Sequence, residues 1–123
     1  MTSLSACQSA GPAGEIELNI NKQPHELMGS IASNIQKCWL KRGDPNFRKL
    51  RMANELNSYA GRPRLLLVPK NNPTGLPSLV VQAQKLKGST RLHAFGPLLA
   101  TRAGKIISTD LKNWTSGKAA CLT

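Results

Sequence analysis

The fold is decided by Arg64-Leu65-Leu66-Leu67-Val68-Pro69 and by Leu79-Val80-Val81-Gln82-Ala83-Gln84, two short runs rich in leucine and valine. Runs of this length and composition, bounded by turn residues, predict buried β-strands. The connector Lys70–Pro77 contains two prolines and a glycine and is too long for a tight hairpin. A second turn over Lys85–Thr90 leads into a third predicted strand, Arg91–Phe95. Because short connections join antiparallel neighbours, we expect an antiparallel sheet of about three strands.

Helical periodicity flanks these strands on both sides. The first helix is predicted over 24–40, with Pro24 in its first turn and apolar residues at helical spacing. A last helix is predicted after Gly96-Pro97, because apolar residues from Leu99 to Trp114 lie largely on one side. Asp44-Pro45 has the form of a helix start and predicts a short extra helix over Asp44–Leu56. The expected fold class is therefore α+β, with the sheet packed against N-terminal and C-terminal helices.

The length of 123 residues suits a single domain with one modest core. Residues 1–22 are predicted to be a flexible tether, because Gln8–Gly14 is small and lacks periodicity. Within that tether, Glu15–Ile20 alternates polar and apolar residues and is a candidate edge strand. Residues 23–121 are expected to form the single compact α+β domain.

Positive charge is concentrated in the later part of the chain. Of 17 Lys and Arg, 16 lie from Lys37 onward against three acids, which gives that part a charge of +13. Such a field attracts nucleic acid, anionic lipid or acidic envelope polymers. The candidate binding residues are the local clusters Arg48, Lys49 and Arg51, and Arg62 with Arg64. The alternatives are a solvated basic surface for the first cluster and protection of a strand edge for the second.

Catalytic patterns are scarce. The two histidines, His25 and His93, have no cysteine or acidic neighbour at metal-ligand spacing. The sequence has neither a Gly-x-Ser-x-Gly elbow nor a glycine-rich phosphate loop. We therefore expect no enzymatic activity, no metal and no cofactor. Both tryptophans fall on apolar helix faces, so few aromatic side chains are left for stacking on bases.

The N-terminal stretch Leu4-Ser5-Ala6-Cys7 resembles a bacterial lipobox, in which the cysteine is lipidated after signal cleavage. Met1–Ala6 lacks the positive and apolar segments of a secretory signal, so this interpretation requires a leader encoded upstream. It implies a periplasmic protein held to a bacterial membrane by a lipid on Cys7. The alternative is a cytoplasmic protein with a chance match.

The three cysteines divide unevenly under the lipobox interpretation. With Cys7 lipidated, Cys38 and Cys121 remain as a pair, and an oxidising compartment would favour a disulfide between them. In a cytoplasmic protein, Cys38 would instead be a small buried apolar residue.

The segment Ile31-Ala32-Ser33-Asn34-Ile35-Gln36-Lys37-Cys38-Trp39 resembles the helix that opens the C-terminal domains of TolA and TonB-type periplasmic proteins. The order of helix, strands and helix, and a bridged cysteine, are also similar. The resemblance implies a periplasmic adaptor that pairs strands or packs faces with envelope partners. We therefore expect a non-enzymatic module that binds an envelope protein or an anionic envelope component. The alternative is a cytosolic basic domain that binds nucleic acid.

Overall fold

The computed structural model describes residues 14–57 and 62–121, which form an α+β unit with a five-stranded antiparallel sheet. Its strands are β1 (Glu15–Ile20), β2 (Leu50–Glu55), β3 (Arg64–Pro69), β4 (Leu79–Leu86) and β5 (Ser89–Phe95). Its α-helices are α1 (Pro24–Ile35) and α2 (Ala103–Thr115). A π-helical segment, Gln36–Leu40, extends α1, and a 3-10 turn, Pro97–Ala100, precedes α2. No helix in the described ranges has the length and apolarity needed to cross a bilayer.

The strand order across the sheet is β1-β5-β4-β3-β2. The three central strands are the three that the sequence predicts, and β3 has the predicted bounds. The two additional strands lie at the edges. β1 forms where alternation marked a candidate edge strand, with Glu17 opposite His93. Since β1 is part of the sheet, the folded unit includes residues that precede position 23.

The prediction of a helix over Asp44–Leu56 is wrong. The Asp44 side chain does accept a hydrogen bond from the backbone N–H of Asn46, at 2.8 Å, but only turns follow it. From Leu50 the chain enters β2, which pairs with β3 in continuous antiparallel register. The edge of the apolar strand β3 offers hydrogen bonds along the whole segment, and Leu50 and Met52 then point to the core at the period of a strand. Tertiary pairing therefore overrides the local helix-start signal.

The two helices cover one face of the sheet. α1 lies over β3 and β4, whereas α2 lies over β1, and the helices contact each other. Leu27, Ile31 and Ile35 of α1 share a single buried cluster with the inward-facing residues of the strands. The cluster's strand members are Leu65, Leu67, Leu79, Val81, Ala83, Leu92 and Ala94. The opposite face of the sheet, which carries Glu17 and His93, is not covered by the helices.

The helical ends of the domain meet at an aromatic cluster. Trp39, at 0% exposure, stacks on Phe47 with ring centroids 4.8 Å apart and nearly parallel planes. On another side it contacts Trp114 of α2 at 5.2 Å. Offset and stacked aromatic pairs contribute beyond the area they bury. The cluster fixes the turn around Phe47 against both helical segments, and that turn leads directly into β2.

Candidate functional site

The basic residues around β2 are brought together by strand pairing. Arg48 and Lys49 end the turn before β2, and Arg51 is its second residue. At this same end of the antiparallel β2–β3 pair, the backbone N–H of Lys70 donates to the carbonyl oxygen of Lys49, at 2.9 Å. The pairing therefore adds Lys70, which is distant in sequence, to the predicted cluster.

These residues line two adjoining clefts of about 380 and 430 Å³. Arg48, Leu50 and Lys70 line both clefts, so the two clefts adjoin beside β2 and are treated together as one surface depression. We call it the basic cleft. Lys49, Pro69 and Asn71 complete the first part, and Gln36, Leu40, Gly43, Arg51 and Met52 complete the second.

Uncompensated positive charge dominates the rim of the basic cleft. The four cationic residues are all exposed: Arg48, Lys49, Arg51 and Lys70. None of them has an ion pair with another described residue, and no carboxylate is among the lining residues given above. Guanidinium groups bind phosphate or carboxylate in a bidentate manner, and ammonium groups bind them as point charges. The cleft is thus suited to an anion.

Apolar side chains accompany this charge. Leu50 is nearly buried, and Pro69, Leu40 and Met52 are partly exposed around it. The loop that starts at Lys70 also contains Leu76. Its side chain is 90% exposed, and among the described residues it is the one large apolar side chain that is exposed to solvent. Cations next to accessible apolar groups favour a ligand that has both an anionic and an apolar part.

Arg62 and Arg64 lie at the opposite end of β3 from the basic cleft. Arg64 Nε donates to Glu55 Oε1 at 2.6 Å, and the two residues are direct neighbours across β2 and β3. Arg64 therefore already has an acidic partner within the sheet. Arg62 is exposed just before β3. The structure does not bring these two candidates together with Arg48, Lys49 and Arg51.

Cys38 and Cys121 lie at disulfide distance, with their Cα atoms 5.5 Å apart. They connect the π-helical segment to the C-terminal end of the described chain, across 83 residues of sequence. Cys38 is fully buried, and Cys121 packs against the core. The candidate lipidation residue, Cys7, lies outside the described residues.

The described residues contain one candidate group of metal ligands, and the spacing of its members along the sequence does not predict it. His93 has Glu17 directly opposite on β1 and Glu15 on the same face. His93 Nε2 lies 3.5 Å from Glu15 Oε1 and 4.0 Å from Glu17 Oε2. Both glutamates are distant from His93 in the sequence, and only the β1–β5 register brings them close to it. The alternation of Glu15 and Glu17 in a predicted strand was the available signal.

Comparison of the chain with models of protein families, with curated proteins and with solved structures finds no match to any of them.

Proposed function

We propose that this chain is a non-enzymatic binding module of a bacterial envelope, which contacts anionic lipid headgroups through the basic cleft. The observation that carries the proposal is the convergence of Arg48, Lys49, Arg51 and Lys70 on one depression without a lining carboxylate. A net charge of +11 adds a general attraction for such a surface.

Lipid is favoured over a purely polar anion by the apolar groups that line the basic cleft. Leu50 and Pro69 give the cleft an apolar floor, and the exposed Leu76 is in the loop that follows Lys70. A basic residue near an anionic leaflet contributes roughly 1 kcal/mol to binding, and an inserted leucine adds burial of apolar surface. Together these groups match a phosphate-bearing headgroup above acyl chains.

The compartment in this proposal is the periplasm, with a lipid on Cys7 as the membrane anchor. The pairing of Cys38 with Cys121 supports it, because a disulfide persists in an oxidising compartment. A cytoplasmic location is the alternative.

The resemblance of residues 31–39 to TolA and TonB-type domains would instead make the module an adaptor for an envelope protein. The two edge strands, β1 and β2, are where a partner strand could pair. Because the chain is strongly basic, nucleic acid is the rival ligand. Against it, both tryptophans are buried in the core, so neither offers a ring for base stacking.

The test is vesicle binding by the unlipidated protein. Full chain carrying Cys7→Ser is mixed with vesicles of phosphatidylglycerol and phosphatidylcholine, and the bound fraction is measured by sedimentation. The cleft variant is Arg48→Gln/Lys49→Gln/Arg51→Gln. The matched control is Lys105→Gln/Lys112→Gln/Lys118→Gln, which removes the same charge from exposed residues at and just after α2, none of which lines the basic cleft.

We expect binding only to anionic vesicles, and a loss of about 100-fold in the cleft variant, from roughly 1 kcal/mol for each removed cation. The control should lose much less. Equal losses in the two variants would show that overall charge alone attracts the protein. Absence of vesicle binding, together with tight and steeply salt-dependent binding to DNA or RNA, would establish the rival function.

The anchor needs a separate test in cells. The gene is expressed with its native upstream region, and incorporation of a labelled fatty acid is compared between the natural chain and Cys7→Ser. Labelling that disappears in the variant supports the anchor. A natural chain that is exported without label, or that stays in the cytoplasm, would contradict it.

A further inference from the structure

An unsatisfied nitrogen marks a second site, far from the basic cleft. His93 Nε2 is the buried side-chain polar atom without a hydrogen-bond partner among the described residues. A buried polar atom of this kind is costly and calls for an explanation such as an unseen ion. The nitrogen faces the carboxylates of Glu15 and Glu17, at 3.5 and 4.0 Å. Three ligand atoms therefore converge, and no hydrogen bond joins the nitrogen to either carboxylate.

The antiparallel register holds the three donors on one face of the sheet. Glu17 and His93 are direct partners, and Glu15 is two residues from Glu17 on the same strand. Alternate residues of a strand share a face, so all three side chains leave the sheet on the side opposite the helices. Their ligand atoms all lie within 4.8 Å of one another. The carboxylates are 42% and 53% exposed, so they can move toward a shared ion.

The spacing fits a tetrahedral ion. Zn²⁺ binds imidazole nitrogen and carboxylate oxygen at about 2.0–2.2 Å, which puts neighbouring ligand atoms about 3.4 Å apart. The distance from His93 Nε2 to Glu15 Oε1 already has this value, and Glu17 Oε2 needs to approach His93 by about half an ångström. The two carboxylates lie within 4.8 Å of each other, so movement of these exposed side chains can complete the set. Three protein ligands would leave the fourth position to water.

The surroundings of the cluster are compatible with a cation. Arg91 is the basic residue on the same face of β5, but its guanidinium donates to Gln84 Oε1 on β4, at 2.9 Å. That contact holds the positive group toward β4, whereas the carboxylates are on β1. The ring of Phe95 packs against His93 at 4.8 Å and shields one side of the imidazole.

We propose that Glu15, Glu17 and His93 form a Zn²⁺-binding site that fastens the edge strand β1 to β5. The ion replaces the proton of an imidazolium, which would otherwise pair with the same carboxylates. Since β1 is an edge strand, a bound ion would hold it in register with β5 at the face that the helices leave open.

The test is calorimetric titration of tag-free full chain with Zn²⁺ near neutral pH. All proteins carry Cys7→Ser, because a free thiol binds zinc by itself. His93→Ala and the double variant Glu15→Gln/Glu17→Gln remove ligands, and the double variant keeps the size of both side chains. The matched controls are His25→Ala and Glu26→Gln, which change exposed residues at the start of α1. Circular dichroism verifies the fold of each variant.

We expect one Zn²⁺ per chain, a dissociation constant in the micromolar range and a Tm that rises with added zinc. Binding should weaken at least tenfold in both ligand variants and remain unchanged in both controls. No binding up to millimolar zinc, or equal binding by the double variant, would overturn the proposal. The vesicle experiment does not involve these residues, so the two tests fail independently.

Discussion

Trp39 Nε1 donates a 2.8 Å hydrogen bond to the Asp110 carboxylate, which joins the π-helical segment to α2 across 71 residues of sequence. Both side chains are fully buried. A carboxylate inside an apolar core destabilises the fold unless donors satisfy it. The indole of Trp39 therefore contributes a polar contact at the centre of the domain, in addition to its stack on Phe47.

Loss of this donor should destabilise the domain. Trp39→Phe keeps an aromatic ring but removes the N–H, so we expect the free energy of unfolding to fall by about 1–3 kcal/mol. Urea denaturation followed by circular dichroism measures the effect. Trp114→Phe is the control, because its Nε1 donates to the backbone oxygen of Ala120 in a less buried place. A double-mutant cycle with Asp110→Asn should give a coupling of about 0.5–3 kcal/mol, and zero coupling would contradict this account.

The Cys38–Cys121 pair predicts a covalent link in protein that has been exported. Mass spectrometry of a non-reduced digest should recover the two peptides as one species. Cys121→Ser should lower the free energy of unfolding by about 2–5 kcal/mol, the usual effect of losing a disulfide in a small secreted domain. Cys7→Ser should leave stability unchanged. Free thiols at both positions in exported protein would remove the main support for the oxidising compartment.

Two helical glycines should respond in opposite ways to the same substitution. A Cβ at Gly104 would overlap the carbonyl oxygen of Leu99 in the preceding 3-10 turn, whereas a Cβ at Gly29 of α1 meets no atom within 4 Å. We expect Gly29→Ala to stabilise the domain by about 1 kcal/mol, because alanine is the better helix former. Gly104→Ala should destabilise it by about 1–3 kcal/mol, as overpacking does. The Tm of each variant, measured by thermal unfolding, tests both expectations. A Gly104→Ala variant more stable than the natural chain would refute the close contact with Leu99.

The sequence predicted those elements whose signal is local. β3 has the predicted bounds because its apolar run is buried whichever neighbours it acquires, with Leu65, Leu67 and Val68 all nearly inaccessible. The helical region from Pro24 to Leu40 was also predicted, from its apolar periodicity. β2 was missed because Leu50–Glu55 has a weak strand pattern and follows Asp44-Pro45, which has the form of a helix start but begins only turns. Its conformation depends on the free edge of β3, which no local pattern reveals.

The residues of the candidate sites likewise divide into those that are close in sequence and those that only strand pairing brings together. Arg48, Lys49 and Arg51 could be proposed from their proximity in sequence, but Lys70 joins them only through the β2–β3 pairing. Glu17 likewise reaches His93 only through the β1–β5 register. Arg64 was a candidate for an external acidic partner, yet register supplies Glu55 instead. Pairing partners of edge strands were therefore the missing information in each case.

The assignment of β2 as a strand can be tested at Ala53. This half-buried residue lies opposite Leu66 of β3, on the face away from the helices. Valine favours strands and disfavours helices, so Ala53→Val should raise the free energy of unfolding by about 0.2–1 kcal/mol. Urea denaturation measures the change. A loss of stability would instead fit the helix predicted over Asp44–Leu56.

The two arginine clusters should differ in their contribution to vesicle binding. Arg51 lines the basic cleft without an acidic partner among the described residues, whereas Arg64 is paired with Glu55 at the other end of β3. Arg51→Gln and Arg64→Gln remove the same charge, so a general field effect is equal in both. We expect Arg51→Gln to weaken binding to phosphatidylglycerol vesicles by about fivefold to tenfold, from roughly 1 kcal/mol per cation. Arg64→Gln should have little effect on vesicle binding. It should change the free energy of unfolding by at most about 1 kcal/mol, as loss of an exposed ion pair does.

If Arg64→Gln weakened binding as much as Arg51→Gln, the contact surface would have to extend along the whole of β3, and the basic cleft would not be the site.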